Sequence, residues 1–289
     1  MKGKVGILDV GGGLRGIYGA GIFDYLIANN IEIPYTIGVS AGSANIASYI
    51  AKQKGRNRRF YEIYSMDKEY MSLSQYRKTG SYINFKYIYE TLSNEDGLDP
   101  WDFDAAMKSN QEMVVVSTEA KTGESVYFYK KDFVKNDYGF FSASCCLPIF
   151  DKPYNWHGKK YFDGAIANQI PYKKAFEDGC TNLIVILTRP ITYRKTNSRT
   201  SKLYKTLSKT YPKIEKELYE LSDLYNKQLE DLLVNYVPSG KVLIVAPDTT
   251  KGLKTLTKDR AKLDKLYHKG FKDGEQIKQY LEKYGLVTG

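Results

Sequence analysis

A mixed α/β fold, with a mostly parallel sheet covered by helices, is the fold class that the sequence predicts. First, short apolar segments alternate along the chain with segments of helical periodicity, which is typical of strand–helix–strand units. Second, the 289 residues are enough for one large α/β domain or two smaller ones. Third, hydrophobic residues make up 42% and charged residues 26% of the chain, and this composition excludes disordered and collagen-like proteins.

The strands are predicted from short apolar or alternating runs that turn residues bound. In chain order these runs are 4–10, 35–39, 112–120, 125–129, 154–157, 160–163, 182–188 and 241–246. Gly158 separates two of them and indicates a hairpin.

The helices are predicted from apolar residues that recur three or four positions apart. These segments are 17–28, 41–53, 56–67, 171–178, a long helix with an apolar stripe from Ile214 to Leu232, and 259–284. The segment 137–146 is rich in small residues. The segment 189–209 is polar and basic without apolar periodicity, so it is expected to be a connector or a mobile loop.

The net charge of +10 is concentrated in the last third of the chain. Residues 1–188 hold 22 Lys and Arg against 21 Asp and Glu, a balance of +1, whereas residues 189–289 have a balance of +9. This asymmetry suits an anionic partner such as phospholipid headgroups, or simply a solvated helical surface. Nucleic acid is not expected as a partner, because no zinc-finger, RNP-type or basic-zipper signature accompanies the charge.

Neither a membrane span nor a disulfide framework is predicted. The longest aliphatic run, Leu183 to Leu187, is far shorter than the roughly 18 residues of a spanning helix. The first ten residues lack the apolar region of a signal peptide. The three cysteines have no disulfide or metal-ligand spacing, so a reducing cytoplasmic location is expected, with no metal and no cofactor.

The first chemical motif is Gly38-Val39-Ser40-Ala41-Gly42, a G-x-S-x-G sequence. It lies where a predicted strand turns into a predicted helix, the context in which hydrolases expose a nucleophilic serine. Gly38 and Gly42 would let the strand and the helix approach each other closely. The pattern therefore indicates Ser40 as a nucleophile, with a structural helix N-cap as the alternative.

The second motif is Gly11-Gly12-Gly13-Leu14-Arg15-Gly16, which also joins a strand to a helix. Its backbone amides could hold an oxyanion beside Ser40. Since Gly11, Gly13 and Gly16 also fit G-x-G-x-x-G, a dinucleotide loop and a purely structural turn are the alternatives. The dinucleotide interpretation expects an acidic residue at the end of the second strand, but Glu32 precedes that strand.

A nucleophilic serine needs a base, and histidines are scarce in this chain. His157 is in the predicted hairpin, and His268 has the neighbours of an exposed helical surface. The sequence therefore favours a carboxylate base. Asp163-Gly164-Ala165 follows the hairpin and offers one, although Asp-Gly alone more often marks a turn.

Taken together, the glycine loop, the Gly-Val-Ser-Ala-Gly elbow and the later Asp-Gly-Ala resemble the patatin-like phospholipase family, in particular its bacterial branch. The resemblance covers about residues 4–188 and implies a three-layer α/β/α fold. It also implies a Ser–Asp dyad, in which Ser40 attacks the acyl carbonyl and Asp163 of the Asp163-Gly164-Ala165 motif is the base. The oxyanion would be held by the loop residues Gly11, Gly12, Gly13, Arg15 and Gly16. Asn168-Gln169 departs from the family pattern, in which an acidic residue and a proline often follow the aspartate motif.

The substrates that this resemblance implies are acyl esters of lipids, as for phospholipase A or lysophospholipase. Residues 1–188 would form the catalytic domain, and residues 189–289 a basic, mainly helical segment packed on the same sheet. That segment could also hold the protein peripherally at an anionic membrane, with Lys202, Lys205 and Lys209 as first candidates. The alternative function is a non-catalytic module that binds a lipid or a dinucleotide through its glycine loop.

Overall fold

The computed structural model describes residues 3–196, 204–207 and 209–286. Eight strands form one sheet: β1 (Lys4–Asp9), β2 (Tyr35–Val39), β3 (Glu112–Glu119), β4 (Ser125–Tyr129), β5 (Tyr154–Trp156), β6 (Lys159–Asp163), β7 (Cys180–Ile186) and β8 (Val242–Val245). Their order across the sheet is β5-β6-β3-β2-β1-β7-β8, and β4 pairs with β3. The strands β3, β2, β1, β7 and β8 are parallel, whereas β4, β5 and β6 are added antiparallel, so the predicted mostly parallel sheet is confirmed.

The described α-helices are α1 (Ile17–Ala28), α2 (Ala41–Ile50), α3 (Arg56–Glu62), α4 (Leu73–Thr79), α5 (Phe103–Lys108), α6 (Gly139–Cys145), α7 (Tyr172–Glu177), α8 (Pro212–Asp231) and α9 (Arg260–Lys283). The predicted helix 56–67 ends at Glu62, and a short 3-10 turn, Tyr64–Met66, follows it. The helices α4 and α5 and the π-helical turn Tyr87–Leu92 are not among the predicted elements.

Helices cover both faces of the sheet, which gives the three-layer α/β/α architecture. Successive residues of a strand point to opposite faces. Accordingly Ile7 of β1 packs in a core with α1, α2 and α9, whereas Leu8 packs in a second core with α7 and α8.

The last third of the chain contributes to the sheet and to both helical layers. Strand β8 pairs in parallel with β7, from Leu183↔Val242 to Ile186↔Val245. Helix α9 lies directly against α1, where a side-chain carbon on Gly270 would be 2.0 Å from the carbonyl oxygen of Tyr18. Glycine at this position therefore allows the two helices to touch along their backbones.

Among the described residues, no helix is both long and apolar enough to cross a bilayer. Of the three lysines predicted to contact anionic lipid, Lys202 lies outside the described residues, and Lys205 and Lys209 are exposed.

Candidate active site

Ser40 lies at a sharp turn between β2 and α2, as the G-x-S-x-G motif predicts. Its backbone angles are φ 54° and ψ −133°, a conformation that L-residues rarely adopt. The Ser40 amide donates to Oγ of Ser144 at 2.9 Å, and the Ser144 hydroxyl donates in turn to the carbonyl of Val116 in β3 at 2.6 Å. The strained turn is therefore anchored to the neighbouring strand.

The register of β3 brings Asp163 beside Ser40. Strand β2 pairs with β3 up to Val39↔Val116, and β6 pairs with β3 starting at Asp163↔Ser117. Because β4 occupies the opposite edge of β3 along Val114–Thr118, β2 and β6 must share one edge. Strand β2 ends at Val39, opposite Val116, and the chain turns away from β3 at Ser40. Asp163 of β6 then pairs with Ser117, the next residue of β3. The pairing thus brings together the two residues of the predicted dyad.

Asp163 is buried, with only 1% of its surface exposed. Burial raises the pKa of its carboxyl from 3.8 to about 6, since a buried charge loses its hydration. The Ser40 hydroxyl, the Ala165 amide and the positive charge of Lys195 oppose that rise in pKa. The Ala165 amide lies 2.9 Å from Oδ1 of Asp163. Asp163 is thus a candidate base whose pKa is raised by burial and whose place in the sheet is beside the candidate nucleophile.

The glycine loop follows β1 and lines the same cavity as Ser40 and Asp163. Gly11, Gly12 and Gly13 have φ values of 64°, 126° and 60°, which glycine adopts readily. The Gly11 amide already donates to Oδ1 of Asp9 at 2.9 Å, so it is not available to an oxyanion. The amides of Gly12 and Gly13 donate to no acceptor in the part of the chain that the structure describes. Of the three predicted glycine amides, those of Gly12 and Gly13 are therefore the ones that could donate to an oxyanion.

Gly38, Gly42 and Gly164 lie where two backbone segments are in close contact. A side-chain carbon on Gly38 would be 2.5 Å from Cα of Ser43, and one on Gly42 would be 2.3 Å from the carbonyl oxygen of Asp9. On Gly164 it would be 2.3 Å from the carbonyl oxygen of Val116. Gly16 packs against Tyr61 and Ala41 and lines neither cavity described below.

Ser40 lies at the junction of two cavities. The lining of the first is mainly apolar, and we call it the apolar cavity. Its apolar side chains include Leu14, Ala44, Phe60, Tyr61, Tyr70, Met71, Ile83, Phe85, Ile88, Tyr89, Cys145, Leu147 and Leu256, and its polar side chains besides Ser40 are Asn45, Arg56, Asn57 and Ser93. The second is lined by Asp163, the glycine loop and three further charged side chains, and we call it the polar cavity. An ester at Ser40 could therefore extend an apolar part and a polar part in separate directions.

Residues from the last third of the chain line the polar cavity, which sequence reasoning missed. They are Arg189, Tyr193, Lys195, Tyr204, Leu218, Leu221, Tyr225 and Thr255. The Lys195 ammonium donates to Oε1 of Gln169, and Gln228 of α8 donates to Oδ1 of Asn168 at 2.7 Å. The unusual Asn168-Gln169 pair thus ties the loop after Asp163 to the C-terminal segment. Its departure from the family pattern was the one signal in the sequence.

Arg15, predicted beside the oxyanion, is buried and lines the polar cavity with 7% of its surface exposed. Its Nη1 donates to Oγ1 of Thr255 at 3.1 Å, whereas its Nε has no hydrogen-bond partner among the described residues. Burial, and secondarily the charge of Arg189, lower the pKa of Arg15 to about 10.

The remaining candidates lie away from Ser40. His157 contacts Asp137 at 2.8 Å and His268 contacts Asp264 at 3.4 Å; both histidine side chains are exposed, and neither lines a cavity. Glu32, the acidic residue of the dinucleotide alternative, forms an ion pair with Lys52. Within the described ranges, no cluster of His, Cys, Asp and Glu could hold a metal ion.

Comparison with known proteins places this geometry in a family. The family model "Patatin-like phospholipase" matches residues 10–176, and a domain of unknown function, DUF6363, matches residues 211–284. The chain is 26% identical over 195 residues to the uncharacterized protein YjjU of Escherichia coli, a match that covers 66% of this chain and 53% of YjjU. It therefore matches only about half the length of that relative.

Among solved structures, the chain is similar to VipD of Legionella pneumophila, with a TM-score of 0.49 and 13% identity, over 98% of this chain and 67% of VipD. The family match spans more than half of the 289 residues and includes the glycine loop, the Ser40 elbow and Asp163. The chain belongs to the patatin-like phospholipase family.

Proposed function

We propose that the protein is a serine acyl-ester hydrolase that acts on lipid esters, as a phospholipase A or lysophospholipase does. The observation that carries this proposal is that the buried Asp163 lies beside Ser40, which lines both cavities. Family membership supports lipid esters as the substrate class. The apolar cavity would take the acyl chain, since apolar surface prefers to leave water.

In the proposed first step, Asp163 takes the hydroxyl proton of Ser40 while Oγ of Ser40 bonds to the acyl carbonyl carbon. The carbonyl oxygen becomes an oxyanion, to which the Gly12 and Gly13 amides would donate. The intermediate then expels the alcohol, which takes the proton from Asp163 and leaves an acyl ester on Ser40. In the second half, Asp163 takes a proton from water while the water oxygen bonds to the carbonyl carbon of the acyl ester. The intermediate then expels Oγ of Ser40, which takes the proton back from Asp163, and the fatty acid is released.

The buried environment makes a carboxylate a credible base in this scheme. An exposed aspartate with a pKa near 4 accepts a serine proton poorly. The rise of the Asp163 pKa to about 6 brings it closer to the operating pH, so proton transfer becomes more favourable. The histidines His157 and His268 are exposed and outside both cavities, so neither has a role in the proposed mechanism.

We propose that the two parts of the chain have the separate roles that the sequence indicates. Residues 1–188 would hold the catalytic groups, and residues 189–289 would complete the polar cavity, which the lining by Lys195, Tyr225 and Thr255 supports. The basic surplus of that last segment would also hold the protein at anionic membranes from the cytoplasm.

Covalent labelling with a fluorophosphonate probe tests the proposal, because only an activated serine reacts with it. The wild-type protein should be labelled, and Ser40→Ala should lose both the label and the hydrolysis of a short-chain p-nitrophenyl ester. Ser43→Ala is the matched control, because the Ser43 hydroxyl only donates to the carbonyl of Ser40, at 2.6 Å. Undiminished labelling of Ser40→Ala would mean that the activated serine lies elsewhere, whereas no labelling of the wild-type protein would leave the non-catalytic lipid- or dinucleotide-binding module as the better interpretation.

A further inference from the structure

The polar cavity holds three cationic side chains that lack a carboxylate partner. The charged residues that line it in the described part of the chain are Arg15, Asp163, Arg189 and Lys195. None of the three cations forms an ion pair with a described residue, and the residues outside the described ranges include no Asp or Glu. Among the described residues, the cavity wall thus carries three positive charges and one negative charge.

Neutral groups hold the three cations in the cavity wall. Arg189 donates to Oγ1 of Thr250 at 3.1 Å and lies 5.0 Å from the ring centre of Tyr193. Lys195 donates to Gln169 and lies 5.8 Å from the ring centre of Tyr225. Such contacts orient a cation but leave its charge uncompensated.

Burial and the nearby cations both act on the pKa of Lys195. Burial lowers the pKa of Lys195 to about 8; the charge of Asp163 opposes this, and the charges of Arg15 and Arg189 add to it. The Nε of Arg15 has no hydrogen-bond partner among the described residues. An anion in the cavity would accept charge-assisted hydrogen bonds from the cationic side chains and relieve their repulsion.

We propose that Arg15, Arg189 and Lys195 form a binding site for the phosphate of a lipid headgroup. This inference rests on the proposed hydrolase function and names its substrate class: glycerol esters that carry a phosphate, in preference to neutral glycerides. With the acyl chain in the apolar cavity and the ester at Ser40, the phosphate would lie in the polar cavity. Arg189 and Lys195 lie outside the matched residues 10–176, so the C-terminal segment would determine the headgroup preference.

Binding to the Ser40→Ala protein tests this inference without requiring turnover. Calorimetry compares a lysophosphatidic acid, a monoacylglycerol with the same decanoyl chain, and inorganic phosphate. The lysophosphatidic acid should bind at least about tenfold more tightly than the monoacylglycerol, since charge-assisted hydrogen bonds are the stronger kind. Lys195→Gln and Arg189→Gln should each remove most of that difference.

Arg194→Gln is the matched control, because the neighbouring Arg194 carries the same charge but is exposed and lies near Glu230. It should change the difference less than about twofold, as expected for a surface charge. Equal affinity for the two lipids, or an equal loss with Arg194→Gln, would refute the headgroup site. Inorganic phosphate that binds as tightly as the lysophosphatidic acid would refute a lipid source for the anion.

The same experiment separates this inference from the proposed function. Phosphate-selective binding by a protein that neither reacts with the fluorophosphonate probe nor hydrolyses esters would support the site and contradict the hydrolase. Hydrolysis by the wild-type protein with equal kcat/KM for the two lipids would support the hydrolase and contradict the phosphate site.

Discussion

Asp163 is the residue whose ionisation should determine the pH dependence of the enzyme. Its carboxylate must be ionised to accept a proton, and its pKa is raised to about 6. We therefore expect kcat/KM for a neutral ester to fall about tenfold per pH unit below pH 6 and to level off above pH 7. A pH–rate profile measures this. A profile that stays flat down to pH 4 would contradict a base with the raised pKa.

Replacement of the same residue should separate activity from stability. Asp163→Asn should lower kcat by at least about 10², the usual contribution of a general base, whereas His157→Ala and His268→Ala should retain most of the activity. A histidine variant that folds but is as inactive as Ser40→Ala would replace the dyad with a triad.

The stability effect follows from the direction of the pKa shift. Because the folded pKa lies above the unfolded value, the contribution of Asp163 to stability is complete below about pH 4 and is lost as the pH rises through 6. Asp163→Asn should therefore gain stability relative to the wild type between pH 4 and pH 7, by up to about 3 kcal/mol. Thermal melting at both pH values measures the gain. If the melting temperatures of the two proteins differ by the same amount at pH 4 and at pH 7, burial does not shift this pKa.

At the scale of residues, motif spacing predicted the pair that the structure brings together. Ser40 and Asp163 were identifiable because each lies in a short motif with its own local geometry. Arg189 and Lys195 were not, since their approach to Ser40 depends on contacts across more than a hundred residues that no local pattern records.

At the scale of elements, the loop between β1 and α1 is expected to be the least tolerant connection. Gly12 has φ 126°, and a side-chain carbon there would be 2.5 Å from Oγ1 of Thr188. Gly12→Val should therefore displace the proposed oxyanion donors and lower kcat by about 10²–10³.

The matched control for that substitution is Gly158→Ala in the β5–β6 turn. Gly158 also has a positive φ, of 75°, but nothing lies within 4 Å of the added carbon. It should lower the melting temperature slightly and leave turnover of a p-nitrophenyl ester unchanged. Wild-type kcat in Gly12→Val, with altered nucleotide affinity, would favour a dinucleotide loop.

The elements that sequence reasoning missed are the short ones between β2 and β3. Helix α4 buries none of its residues and α5 buries only Ala106, so neither has the apolar stripe from which a helix is predicted. The aromatic residues of this region, such as Tyr70, Phe85 and Tyr89, line the apolar cavity rather than one regular helix face. The strands and the long helices were predictable because their burial imposes a strict period of two or of 3.6 residues.

At the scale of the whole molecule, the charge asymmetry predicts that the protein binds electrostatically to anionic membranes. The last third has a balance of +9, and each Lys or Arg near an anionic surface contributes about 1 kcal/mol. Co-sedimentation with liposomes should therefore increase with phosphatidylglycerol content and collapse at high salt, where exposed charges are screened. Equal binding to neutral and anionic vesicles, or none to either, would leave the basic segment as structural cover for the sheet.

The edge of β3 that β2 and β6 share also determines which insertions and deletions the family fold can accept here. Side chains alternate along a strand, so the loss of one residue from the five-residue β6 would turn the position of Asp163 to the opposite face of the sheet. The turn at Gly158 has open space around it and can grow without disturbing that ladder. We therefore expect related chains to vary in length at this turn and to keep β6 at constant length.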